Sequence, residues 1–355
     1  MVDLRGTTPA RPPTVTAVAS APAEVLRLGT VLARPDPESY DVGPDRIAEL
    51  RDRLPSDVAG PLDDIHAGGA TPLLQLDSIA AELPESAEAD DLVATLGTDP
   101  ERTWWRLLAA RVGQDEACPL ELAERLVAQD PDALAEVRRL VAVGEAGDDV
   151  ASALAADPVD RGRTIAAVVA GLRPLWDELA GEAMAAIRRD VAYRRSQLTA
   201  GVDVAEVVLE ATNGYELADD PKVRRVVLLP SYWFRPWLVV SRVADAEVIS
   251  TPVAERFVTL PSEAPSPALL KLFKALSDEG RLRLLRRMST GPISLTEATE
   301  ELGVTKATAH HHLSILRQAG LLSMRGEGRA IRYAVRGDPP AIAREALAAY
   351  VRPSG

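Results

Sequence analysis

The chain has 355 residues, 46% of them hydrophobic, a single cysteine and a net charge of −13. That length allows two or three domains with ample core, and one cysteine excludes an intrachain disulfide and fits a reducing cytoplasm. No run approaches the roughly 18 apolar residues that span a membrane, and the first residues lack the apolar block of a signal peptide.

Met1 to Pro13 is polar and proline-bearing. Thr14 to Val18 alternates like a short strand, and Ala21 to Leu32 reads as a helix. From Pro44 to about Gly171 the signals are helical, in segments punctuated by proline and glycine; Asp130-Pro131 is a good helix start. Arg173 to Asn213 is the longest helical pattern and divides near Gly201. The character then changes. Val223 to Leu229, Trp237 to Ser241, Glu247 to Ser250 and Phe257 to Leu260 are β-branched and aromatic-rich, which predicts a small antiparallel sheet that the Thr14 strand can join. Proline-rich residues 261–267 form a linker.

Beyond it, Leu269, Leu272, Phe273 and Leu276 recur at helical spacing, and Ser277-Asp278 can cap a second helix. Ser294 to Glu297 is a capping-box pattern that starts a third, which ends at Gly303. Thr305 caps a fourth, Lys306 to Gln318. Two short helices about a tight glycine-containing turn form a helix-turn-helix. Ala309, Leu313 and Leu316 share the inner face of the fourth helix. Ala307, His311, Ser314 and Gln318 point away from it, flanked by Thr308 and His310, as suits a helix in a major groove. Leu321 to Arg325 and Arg329 to Val335 flank Gly326-Glu327-Gly328, a hairpin with Arg325 and Arg329 near its tip, placed to grip phosphate. The expected DNA contacts are therefore Thr305, Lys306, Ala307, Thr308, His310, His311, Ser314, Arg325 and Arg329. His310, His311 and His312 point about 100° apart on a helix and cannot converge on one metal ion.

Charge divides the same way. From Ala268 onward there are 14 Arg and Lys against 8 Asp and Glu, a net of +6, whereas the remainder holds 26 against 45, a net of −19. A basic end on an acidic body is the asymmetry expected when one end meets phosphate.

Residues 272–285, 305–313 and 316–321 together resemble the ArsR-type winged-helix repressor family over about 70 residues. The resemblance implies a homodimer that binds an inverted-repeat operator and changes its grip when a signal arrives. Metal-sensing members carry a cysteine motif on the third helix. Here that helix, residues 294–302, has no cysteine, and the last helix, Pro340 to Val351, offers one glutamate and no histidine. Metal sensing at the familiar positions is not expected.

Residues 231–237 hold four of the chain's 14 aromatic residues. Tyr232, Trp233 and Trp237 either form core or line a ligand cavity with Trp176 and Tyr193. Cys118 reads as an idle thiol, His66 as a loop residue and the paired aspartates as solvated. No phosphate-loop, dinucleotide or metallohydrolase pattern occurs, so neither an enzyme nor a cofactor is expected. The expected fold is mainly α with a small antiparallel sheet. A helical body over residues 1–260 would sense or dimerise, residues 261–267 would link, and residues 268–355 would form the winged module with its C-terminal helix. The function expected is a cytoplasmic, homodimeric DNA-binding repressor with a non-metal small-molecule or partner signal. The alternative is a constitutive DNA-binding protein whose body only dimerises.

Overall fold

The computed structural model describes residues 13–33, 37–66, 72–115, 118–217, 220–243, 245–258, 265–327 and 330–351. Strand β1 (Thr14–Ala17) leads into α1 (Ala21–Ala33), α2 (Pro44–Asp52), α3 (Ser56–His66), α4 (Pro72–Gln75), α5 (Asp77–Glu82) and α6 (Ala89–Thr98). Helices α7 (Pro100–Gln114), α8 (Leu120–Val127), α9 (Pro131–Ala142), α10 (Asp148–Ala155), α11 (Pro158–Gly171), α12 (Arg173–Thr199) and α13 (Val204–Ala211) follow. Then come β2 (Tyr215–Glu216), β3 (Arg225–Ser231), β4 (Val239–Val243) and β5 (Ala246–Pro252). The chain closes with α14 (Pro267–Leu276), α15 (Glu279–Met288), β6 (Ile293–Ser294), α16 (Leu295–Leu302), α17 (Lys306–Gln318), β7 (Leu322–Glu327), β8 (Ala330–Val335) and α18 (Pro339–Val351).

These elements form two compact units, Met1–Val191 with Lys222–Pro252, and Ala192–Pro221 with Val253–Gly355. The chain therefore passes between units three times, and residues 192–221 and 253–260 fall with the C-terminal module, not with the body expected over 1–260. Most of the expected linker, residues 261–264, lies outside the described residues.

In the first unit, three helices begin on Asp-Pro. Asp99, Asp130 and Asp157 each accept a backbone N–H of the first turn at 2.9 Å, and each following proline occupies the first helical position, where no N–H is needed. Helices α7 to α10 enclose one core of Trp104, Leu108, Val112, Leu122, Leu126, Val137 and Val150, with Cys118 buried in it. Trp105 is buried there too, edge-on to Trp104 at 5.5 Å, so neither indole is left at a surface. His66 is likewise buried at the end of α3, with Nδ1 2.9 Å from the Leu62 carbonyl.

The sheet of this unit has the order β1-β3-β5-β4. It corrects the antiparallel expectation: β1 and β5 both run parallel to β3, and only β4 pairs antiparallel, in a hairpin with β5. Burial explains the difference. Six of the seven residues of β5 are buried, and strands covered on both faces belong to parallel sheets. Phe257 to Leu260 is not the expected strand. Glu255–Phe257 is a 3-10 turn whose Phe257 ring lies 5.8 Å from Tyr193, and residues 259 and 260 lie outside the described residues.

Helix α1 is buried all round from Ala21 to Leu32, and it carries two charges inside. Arg27 donates to Ser250 Oγ at 2.8 Å and to Asp77 Oδ2 at 2.9 Å. Glu24 Oε1 accepts the backbone N–H groups of Tyr232 and Trp233, both at 2.7 Å. Burial pushes the Asp77 carboxyl up to about 6, against the pull of Arg27, and raises Glu24 as well.

The second unit is built on a core of Leu272, Leu284, Ala298, Ala309, Leu313, Leu316 and Tyr333. Its sheet runs β2-β7-β8-β6; β8 is antiparallel to both β7 and β6, and β2 lies parallel to β7.

Candidate nucleic-acid interface

Local capping sets every helix of the C-terminal module. Ser266 Oγ accepts from Leu269 N at 3.2 Å to start α14, with Pro267 in the first turn. Asp278 starts α15 by accepting from Arg281 N at 2.9 Å. Buried Arg281 reaches back to the Ala275 and Lys274 carbonyls at 2.9 and 2.6 Å, closing the end of α14. Ser294 and Glu297 form a reciprocal capping box at α16. Gly303, at φ 68°, ends α16 in the left-handed region that favours glycine, and Thr305 accepts from Thr308 N at 3.2 Å to start α17. The turn between α16 and α17 is thus three residues long, and α17 projects from it.

Ala309, Leu313 and Leu316 are fully buried on the inner face of α17, and Thr305, Lys306, Ala307, Thr308, His310 and His311 are exposed around its N-terminal half. Ser314 is not on that open face. It is 8% exposed, because the buried stripe widens toward the C-terminal end to take in Leu313, Ser314, Leu316 and Arg317. His312 turns inward as well, with Nδ1 3.5 Å from Asp278 Oδ1 at the start of α15. Burial lowers the His312 pKa, and Asp278 opposes that shift. Partial desolvation of its ring lowers His310 in the same direction, reinforced by the Arg317 and His311 charges.

Arg325 is exposed on β7. Arg329 lies outside the described residues. Arg332 is committed elsewhere: its Nη1 donates to Glu297 Oε2 at 2.6 Å and ties β8 to α16, while Arg287 approaches Glu297 Oε1 at 3.6 Å. The exposed groups of α17, and Arg325 on β7, are hydroxyls, imidazoles and cations without a bulky apolar residue among them. Such groups can donate to and accept from base edges and pair with phosphate.

Sequence reasoning missed Arg317 and Asn213. Arg317 is fully buried, and its Nη1 donates to the Thr212 carbonyl at 3.3 Å; burial pushes its pKa down to about 10. Asn213, at φ 53°, sends Nδ2 to the Arg317 and Gln318 carbonyls at 3.3 and 3.1 Å, and its Oδ1 accepts from Arg336 at 3.1 Å. The Asn213-Gly214 pair carried a turn signal after a helix, but not the identity of what it would touch.

The aromatics expected around a ligand are divided between the two units. Trp176, Tyr232, Trp233 and Trp237 belong to the first unit and Tyr193 to the second, where it packs on Phe257 and under the Arg256 guanidinium at 4.1 Å. Trp176 and Trp233 are core, 2% and 4% exposed. Tyr232 donates to Glu182 at 2.8 Å, and the Trp237 indole donates to the Ser39 carbonyl at 3.1 Å.

Comparison with known proteins places this geometry. Residues 276–325 match the family model described as a helix-turn-helix domain. The chain is 39% identical over 70 residues to an uncharacterized HTH-type transcriptional regulator, YceK of Bacillus subtilis, spanning 70% of that protein and 19% of this one. It is 38% identical over 69 residues to a probable mercury resistance operon repressor of Streptomyces lividans, spanning 54% of it and 19% of this chain. Transcriptional repressor SdpR of Bacillus subtilis is 33% identical over 64 residues, with 71% of it and 18% of this chain covered. No solved structure matches. All these matches fall on about a fifth of the chain, and through that module the chain belongs to the ArsR-type helix-turn-helix transcriptional regulators that bind DNA.

Proposed function

We infer that the protein is a homodimeric repressor that places two copies of α17 in successive major grooves of an inverted repeat, with a signal read by the first unit. The observation that carries the DNA contact is the exposed, polar N-terminal half of α17: Thr305, Lys306, Ala307, Thr308, His310 and His311. Arg325, with Arg329, grips the backbone beside it. Ser314, being buried, has no place in the contact.

Unpartnered apolar surface supports dimerisation. No residue of α18 is buried; Leu347, Tyr350 and Val351 are 45%, 51% and 67% exposed, and Leu270 and Phe273 of α14 are exposed too. A lone module reads only a few base pairs, and symmetric pairing sets two recognition helices one turn of DNA apart, about 34 Å. Light scattering at micromolar concentration, with footprinting on bound genomic fragments, tests this. A dimer protecting two half-sites about 10 base pairs apart is expected; a monomer protecting one half-site overturns it.

For the signal, residues 294–302 supply no cysteine, so a non-metal effector or a protein partner is proposed. Tyr232 and Trp237 keep an accessible face and are the proposed entry in the first unit. A second location has its own observation. An apolar recess of about 420 Å³ lies within the DNA-binding unit, lined by Leu276, Leu282, Leu285, Val335 and Pro339. Compounds that release the protein from DNA, mapped by protection of either set of residues, separate the two. A protein that no compound or partner releases is the constitutive binder.

A further inference from the structure

Residues Thr212–Glu216 stand some way upstream of the module that defines the family, yet they are built into it. Each makes a distinct bond to the junction of recognition helix and wing. The Thr212 carbonyl accepts from buried Arg317. Asn213 caps the last carbonyls of α17 with its amide N–H and holds Arg336, at the end of β8, with its amide oxygen. The Gly214 carbonyl accepts from Met324 N at 2.7 Å, and a Cβ on Gly214 would sit 2.4 Å from the Leu322 carbonyl oxygen, so only glycine permits the approach. Tyr215 and Glu216 then pair in parallel with Met324 and Arg325, adding a fourth strand to the wing sheet. The register sets Glu216 beside Arg325, a carboxylate next to a cation meant for phosphate.

Helix termini leave carbonyls without partners, and without β2 the strand β7 would be an edge with unpaired backbone groups. At this junction both needs are met by one short segment from outside the module. We propose that Thr212–Glu216 is a strap that positions the C-terminal end of the recognition helix against the wing, with Asn213 as its positioning residue and Glu216 as a brake on the grip of Arg325. This rests on the reading that α17 and the wing bind DNA.

The test uses the full chain and genomic fragments enriched by the wild type. Asn213→Gly keeps the left-handed backbone and removes the cap; Asn213→Asp keeps the acceptor for Arg336 and removes the donor. Both are expected to melt as cooperatively as the wild type, to bind about tenfold more weakly, and to exchange the Met324 amide faster. Glu216→Gln is expected to bind more tightly with a steeper salt dependence, a gain that misfolding cannot mimic. Unchanged affinity and unchanged Met324 exchange in both Asn213 variants overturn the strap, and a Glu216→Gln protein that binds no tighter overturns the brake. If one Asn213 variant fails to fold, the other decides. If the wild type enriches no DNA, the proposed function fails by itself. Hydrogen exchange then decides the strap: faster exchange at residues 318–324 sustains it, and unchanged exchange overturns it.

Discussion

Thr305 and His311 sit six residues apart on one helix and should fail in opposite ways. Thr305 Oγ1 accepts from Thr308 N at 3.2 Å, which satisfies a backbone donor that α17 cannot satisfy itself. Thr305→Ala should therefore cost about 1 kcal/mol of stability. His311 is exposed and outside the core that holds Ala309 and Leu313, so His311→Ala should change stability by no more than about 0.5 kcal/mol. Its loss should appear on DNA instead, as roughly 1–3 kcal/mol of discrimination between the bound site and a variant at the contacted base pair, about 5- to 150-fold. Chemical denaturation gives the first pair of numbers, and binding titrations on matched and altered sites give the second. A His311→Ala protein with normal stability and full site preference would refute the assignment of this face to base contact. A large stability loss in the same variant would show that His311 packs rather than reads.

Arg325→Ala should weaken binding to specific and random fragments alike and lower the slope of log affinity against log salt by about one unit; an unchanged slope removes Arg325 from the backbone contact. The Asp77 carboxyl, raised by burial to about 6, stabilises the fold in its protonated form and destabilises it once ionised. The stability of wild type relative to Asp77→Asn should therefore fall by roughly 2–3 kcal/mol as pH rises from 4 to 7. Denaturation curves at those two pH values check it, and a flat difference means that Asp77 titrates as an ordinary surface acid.

The winged module was legible because its signals are local. Capping residues, the left-handed Gly303 and the spacing of Ala309, Leu313 and Leu316 each fix backbone within a few residues, and all agree. Ser314 was misplaced for the opposite reason. Its burial depends on which neighbours cover the last turns of α17, and periodicity within one helix does not contain them. The same holds for Asn213 and Arg317, which meet across 104 residues of sequence. In the body, helix existence could be read from punctuation, but α1 hid its role. A helix buried on all sides shows no amphipathic stripe, and Glu24 and Arg27 within it look like surface charges until Asp77 and Ser250 are seen beside them. The parallel pairing of β3 with β5 was hidden for a related reason, since a strand covered on both faces loses its alternation.

Unit boundaries also change the meaning of the charge asymmetry. Residues 268–355 carry 14 Arg and Lys against 8 Asp and Glu, but residues 192–221 add 2 against 6, and residues 253–267 add 1 against 2. The second unit therefore holds 17 cations against 16 anions, a net of +1 and not +6. A unit so close to neutral cannot bind DNA through net charge, because non-specific affinity scales with the number of phosphates neutralised. Its grip must come from where the cations stand. Arg332 and Arg287 pair with Glu297, Arg256 with Glu210 at 2.6 Å, and Arg283 with Glu301 at 3.4 Å, whereas Lys306 on α17 and Arg325 on β7 are exposed, as are Lys274, Arg286 and Arg344. If α17 makes the contact, Lys306 and Arg325 supply phosphate pairing beside it, and base contacts from α17 decide where the protein rests.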